Sequence, residues 1–170
     1  KLNSFLPKDI AVQKVFEVAP EAHARFDATA RTYEYHMHPQ KNVFLDGLSW
    51  FYGKELQVDA MNEAAKLLLT HTDFECFSKV HTEVYTFDCT VSEAFWTVEQ
   101  DQLIFTITAN RFLRNMVRAI VGTLLEVGRG QMTLAEFQQV LNSKNRSEAG
   151  VSVPAHGLYL TKIVYPYVQP

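Results

Sequence analysis

The stretch Arg111-Phe-Leu-Arg-Asn-Met-Val-Arg118-Ala-Ile-Val-Gly122 carries the densest chemistry in the chain. On a helix, Arg111, Arg114, Asn115, Arg118 and Gly122 fall within a stripe of roughly 100°. Leu113, Met116, Val117, Ile120 and Leu124 point the opposite way, so the spacing predicts an apolar floor under a guanidinium ridge. A solvated helix face has the same pattern. The ridge, however, holds three arginines and no lysine, and no acid stands three or four residues from Arg118. A guanidinium fork suits bidentate binding of a phosphate or a carboxylate. The ridge also starts at an expected strand-to-helix junction, where free amides favour anions. Gly122 extends it where a missing side chain lets another surface come close.

A second candidate runs from Ala22 to Tyr35 and includes His23, Arg25, Asp27, Arg31 and Tyr33. Aromatic rings beside arginines can stack a nucleobase while holding its phosphate; ordinary strand packing also accounts for Tyr33 and Tyr35. A third, Ala155-His156-Gly157-Leu158-Tyr159-Leu160, is uninformative alone. His36 and His38 share a strand face, but no further ligand set stands at a recognised spacing, so no metal is expected. The chain has no P-loop, GxGxxG or GxSxG stretch, which leaves nucleotide hydrolysis, dinucleotide redox and serine-hydrolase chemistry without a foothold.

These residues need elements to position them. Alternation predicts strands over Ile10–Val18, Arg31–His38, Tyr85–Val91, Phe95–Glu99 and Leu103–Ala109, with a tight turn at Gln100-Asp101. Pro39–Trp50 reads as an irregular connection. Asp59 is expected to cap a helix to about Leu69, and Asn110 a helix to about Val127 that ends at Gly128. Thr133 and Glu136 form a capping box for a further helix. Gly157 opens a last strand, Leu158–Tyr165, stopped by Pro166. The order implies an α+β fold, a mostly antiparallel mixed sheet with helices packed on one face.

The 170 residues, 47% of them apolar, suit one domain with a real core. No apolar run approaches the roughly 18 to 20 residues that span a bilayer. The formal charge of −3 disfavours a nucleic-acid partner at face value. By position it divides into −8 between Asp46 and Asp101 and +5 elsewhere. Cys76 and Cys89 make no disulfide framework and read as reduced, buried thiols of a cytoplasmic protein.

Taken together, the candidates resemble the tRNA pseudouridine synthase family of the TruA type. The resemblance rests on Leu2-Asn3, Leu6-Pro7 and Asp9-Ile10-Ala11-Val12, on His23 to Phe26 with Ala28 to Arg31 and Tyr33, and on Asp73-Phe74. Phe112, Met116 to Arg118, Ile120 to Gly122 and Gly157 to Leu160 complete it. It implies a pseudouridine synthase-like fold, with residues 1–170 forming the C-terminal catalytic-domain portion. The implied activity is an isomerase that turns uridine into pseudouridine in the anticodon stem-loop of tRNA, with no cofactor and no metal. The implied partners are tRNA and a second copy of the chain, in a homodimer.

The resemblance also implies roles. Arg118 pairs with the nucleophilic aspartate, Tyr33 stacks on the extruded uracil, and Leu158 walls its other side. Arg111, Arg114, Asn115, Arg25 and Arg31 are candidates for RNA contacts. Thr32 departs from the pattern, where relatives often carry a second basic residue. The family's nucleophile lies in a Gly-Arg-Thr-Asp-Ala-Gly-Val-His stretch, which this sequence lacks; Asp27 falls between motif positions and does not replace it. The chain alone is therefore expected to be inactive, with Arg118 facing solvent or a substitute anion. The alternatives are a non-catalytic RNA-binding or dimerisation module of the same fold and an acidic protein-interaction domain built on the −8 segment.

Overall fold

The structure is a computed structural model that describes residues 1–79 and 84–168. Its sheet contains strands β1 (Ala30–His38), β2 (Trp50–Phe51), β3 (Val91–Glu99), β4 (Gln102–Ala109) and β5 (Leu158–Val164). The order is β2-β1-β4-β3, and β5 pairs with β1. All pairings are antiparallel except β1 with β2, where Met37 and His38 run beside Trp50 and Phe51. The mostly antiparallel mixed sheet of the sequence reading is thus present.

Helices α1 (Val58–Leu67), α2 (Met116–Gly128) and α3 (Leu134–Ser143) supply the other layer. Tyr35, Met37, Trp96, Phe105 and Ile107 on one sheet face join Met61, Ile120, Leu124, Phe137 and Leu141 in one core. The opposite face is polar, with the Thr32 and Thr108 hydroxyls 2.9 Å apart and Thr108 donating to Glu93 at 2.8 Å. Helix α2 is central: of its 13 residues only Arg118 and Glu126 are not buried. A helix apolar nearly all round belongs in the interior, so the charge at Arg118 marks the one place where its first turns reach outward.

Some local signals act as read. Gln100 and Asp101 both adopt positive φ, 47° and 65°, in the two-residue turn that matches strand twist. Thr133 and Glu136 form the reciprocal capping box of α3. The Pro39–Trp50 connection is irregular apart from a short turn at Val43–Leu45 capped by Asn42, and it leads into β2.

Other expectations are corrected. Ile10–Val18 is not a strand; the Val12 backbone pairs instead with the Asn3 side chain, at 2.8 and 2.9 Å. Tyr85–Val91 is not a strand either. Asp88 there makes one isolated bridge with Asp73, and β3 begins at Val91. Asp59 sits in the first turn of α1, not at its cap, because the Gln57 amide is held by the Gly128 carbonyl at 2.8 Å. Asn110 does not cap α2. Its side chain accepts the Thr90 amide at 2.8 Å, and the helix starts only at Met116.

Candidate anion-binding site

Because α2 starts late, Arg111 and Arg114 are not on its ridge. Residues 111–115 form a loop that ends in Asn115, a left-handed residue with φ 70° at the helix N-cap. The turn brings Arg114, Asn115 and Arg118 together by a route different from helical spacing. They line an open pocket of about 850 Å³ with Lys79, Arg146, Ala155 and Leu158. Among the described residues its lining holds four cations and no carboxylate.

Each group has a specific support. Arg118 Nε donates to the Val153 carbonyl at 2.6 Å, and the Val153 amide donates back to the Arg118 carbonyl at 3.2 Å. No described carboxylate pairs with Arg118, and its terminal nitrogens have no hydrogen-bond partner among the described residues. The expected solvent or substitute anion is therefore replaced, on one side of the guanidinium, by a backbone carbonyl. Asn115 Nδ2 donates to Ser152 Oγ at 2.6 Å.

These acceptors belong to a short crossing segment, residues 149–154. A Cβ on Gly122 would stand 1.9 Å from the Val151 carbonyl oxygen, so only glycine lets the segment pass over α2 here. Gly150 faces it, where a Cβ would stand 2.9 Å from the Gly122 carbonyl. At the far end, the Tyr35 hydroxyl donates to the Pro154 carbonyl at 2.8 Å. Burial pushes the Tyr35 phenol well above its ordinary range, against the opposing charge of Arg118. Tyr35 is thus a neutral donor in the scaffold.

Leu158 opens β5 opposite Tyr35 and supplies the apolar part of the lining. Tyr33 lies two residues from Tyr35 on the same strand face. It is half-buried and does not line the pocket, and its ring meets Phe112 edge-on at 5.0 Å. Its hydroxyl has no hydrogen-bond partner among the described residues.

The remaining candidates lie elsewhere. Arg31 spends its guanidinium on three backbone carbonyls, those of Ala28 (2.7 Å), Asn110 (2.7 Å) and Arg25 (2.6 Å), which ties the 25–31 turn to the end of β4. Arg25 is exposed over the Phe26 ring at 5.5 Å. Arg111 is half-buried, and its charge reaches the Cys89 thiol. Asp27 accepts the His23 amide at 2.7 Å and shapes a local turn. His36 pairs with Glu34 and His38 with Ser49; among the described residues no group of three or more His, Cys, Asp or Glu could hold a metal. Burial pushes the Cys76 thiol up to about 12 and the Cys89 thiol up to about 11, so both are inert.

Sequence reasoning missed Lys79 and Arg146. The only signal for Arg146 was a basic loop, Lys144-Asn-Arg146, after α3. Nothing local says that it returns to the start of α2.

The family described as tRNA pseudouridine synthase matches residues 64–166. A protein of Parabacteroides distasonis named tRNA pseudouridine synthase A is 55% identical over 166 residues, covering 98% of this chain and 66% of its own length. The Porphyromonas gingivalis protein of that name is 49% identical over 98% of this chain and 67% of its own length. The Bacillus subtilis protein is 41% identical over 96% and 67%, respectively. The chain thus spans about two thirds of the length of these relatives.

Proposed function

Since the chain belongs to the tRNA pseudouridine synthase family, we propose that it is the part of a tRNA-modifying isomerase that binds the target uridine and steadies the nucleophile. The observation that carries the reading is the pocket itself: among the described residues, four cations, no carboxylate, and one apolar wall at Leu158. Such a lining is built for an anion beside a flat apolar group, which a nucleotide supplies in one molecule.

The chemistry follows from the groups present. The N-glycosidic bond of uridine breaks, the uracil turns, and C5 joins the ribose. The target base must first leave its stack, at a cost of a few kcal/mol. Leu158 in the pocket recovers part of that cost, and the resemblance adds the Tyr33 ring, which lies beside the pocket against Phe112, on the other side of the base. The terminal nitrogens of Arg118 form a fork for a carboxylate, and a cation within about 4 to 6 Å keeps the nucleophile ionised. The unpartnered Tyr33 hydroxyl is available for proton transfer at C5. Arg114 offers a phosphate contact, which makes RNA binding weaken as salt rises.

In this reading the nucleophilic aspartate comes from outside these 170 residues, because the sequence has no Gly-Arg-Thr-Asp stretch. The finer features rest on the resemblance: the anticodon stem-loop as the target region and a homodimer that holds tRNA across two copies. A cytoplasmic setting is supported by two free, buried cysteines. Among the described residues no helix is long and apolar enough to cross a membrane.

The test uses tRNA tritiated at uracil C5. The chain alone should release no tritium, and the chain joined behind a relative's segment carrying Gly-Arg-Thr-Asp should release it. Arg118→Ala should abolish release in the joined protein while tRNA is still retained. Turnover by the chain alone, or full turnover without Arg118, overturns the reading.

A further inference from the structure

A cation lining an anion pocket reads at first as a ligand for phosphate, and Arg146 is such a cation. Its hydrogen bonds give a different account. Nη1 donates to the carbonyls of Ala149 and Gly150, both at 3.2 Å, and Nη2 donates to Ser152 Oγ at 2.9 Å. Both terminal nitrogens are therefore engaged within the chain. We propose that Arg146 is a positioning residue for Arg118, acting through the segment 149–154.

The segment is a strap. The Gly150 amide donates to Thr123 Oγ1 at 2.9 Å, and that buried hydroxyl donates to the Ala119 carbonyl at 2.8 Å. Ser152 Oγ accepts from Arg146 and from Asn115, which uses both acceptor positions of a hydroxyl. One residue later, Val153 holds Arg118 by its backbone carbonyl and amide together. The geometry of Arg118 is thus set by where Val153 lies, and Val153 lies where Arg146 and Thr123 hold the strap. A planar guanidinium fixes three acceptors in one arrangement; a lysine ammonium keeps the charge and loses that geometry. Arg146 therefore acts by shape, while Arg118 acts by contact with the reacting carboxylate.

The effect on turnover rests on the proposed role of Arg118. The positioning does not, and the two are tested apart. In the isotope-labelled chain, the Arg118 Nε–H signal reports its bond to Val153 directly. Arg146→Lys should speed exchange of that proton by roughly threefold to tenfold, the equivalent of one ordinary hydrogen bond. Ser152→Ala removes the shared acceptor without touching either arginine and should act in the same direction if the lysine variant fails to fold. An Arg118 Nε–H signal unchanged in both variants overturns the proposal.

In the joined protein, Arg146→Lys should lower kcat by about a hundredfold, the scale of a misplaced catalytic group. Its tRNA affinity and salt dependence should stay as they were. Full kcat with lysine would mean that charge alone suffices, and that result also overturns the proposal. If the unmodified joined protein makes no pseudouridine, the functional reading has failed and the Nε–H measurement still decides the positioning.

Discussion

The strap at residues 149–154 and the segment at 10–18 are both backbone without regular structure, and they are held in opposite ways. In the strap, every residue except Val151 has a hydrogen bond to a group elsewhere in the chain, including two arginines, an asparagine, a threonine and a tyrosine. In the 10–18 segment, Val12 is tied to Asn3, and the apolar side chains lie open, with Val15 81% and Phe16 46% exposed. Irregular backbone is therefore not loose by nature. It is as fixed as the polar groups that answer its amides and carbonyls. Here the chain spends those groups beside the cationic pocket.

The comparison breaks most readily at Gly122. Alanine there gains about 1 kcal/mol in helix propensity. It also drives a Cβ into the Val151 carbonyl, and backbone against backbone has little room to yield, so the overlap should cost about 3 kcal/mol or more. Urea unfolding should show a clear net loss of stability for Gly122→Ala. A stability equal to or above that of the unmodified chain would mean that the strap gives way easily.

A smaller effect is expected at Asp73, which ties the 73–77 turn to Lys144 at the end of α3, at 2.6 Å. Burial works to raise the Asp73 carboxyl, yet the Lys144 hydrogen bond, the Glu75 amide and nearby charge leave it below its ordinary value of 3.8. A carboxyl held low in the folded state adds stability above its unfolded pKa and loses it as pH falls through the folded value. The contribution should be constant at neutral pH and vanish in acid below about 3.8. Asp73→Asn should flatten that acid limb. An unchanged limb would show that the solvent-facing ammonium contributes nothing.

The smallest effect belongs to the open segment. Phe16→Ser should change the stability of this chain by no more than about 0.5 kcal/mol, as for other surface positions. A drop in melting temperature as large as that of Gly122→Ala would erase the contrast between the two segments.

The same contrast explains what was legible in the sequence. The capping box at Thr133 and Glu136, the turn at Gln100-Asp101 and the alternation of β1 and β4 act within a few residues, so their spacing could be read directly. Arg114, Asn115, Arg118 and Leu158 were also named, and they do meet at one pocket. They meet there because a loop and a left-handed Asn115 replace the expected first turn of helix, which the local pattern does not show. Asn110 looked like a cap because of its type; its side chain answers Thr90, twenty residues away in sequence. Arg31 looked like a phosphate ligand because it is an arginine; three carbonyls use its fork. Arg146 could not be linked to Arg118 at all, since the link runs through five residues of backbone. Alternation at Ile10–Val18 was real, but a strand also needs a partner edge, and spacing along one segment cannot supply it.

Helix α2 has one further consequence, in time. Its residues from Ile120 to Leu125 are buried on every side, so their amides exchange with solvent only when the whole domain opens. Arg118 stands two residues before that stretch and is hydrogen-bonded to the strap laid over it. The backbone that carries its guanidinium therefore keeps its place through the faster openings of turns and ends around it.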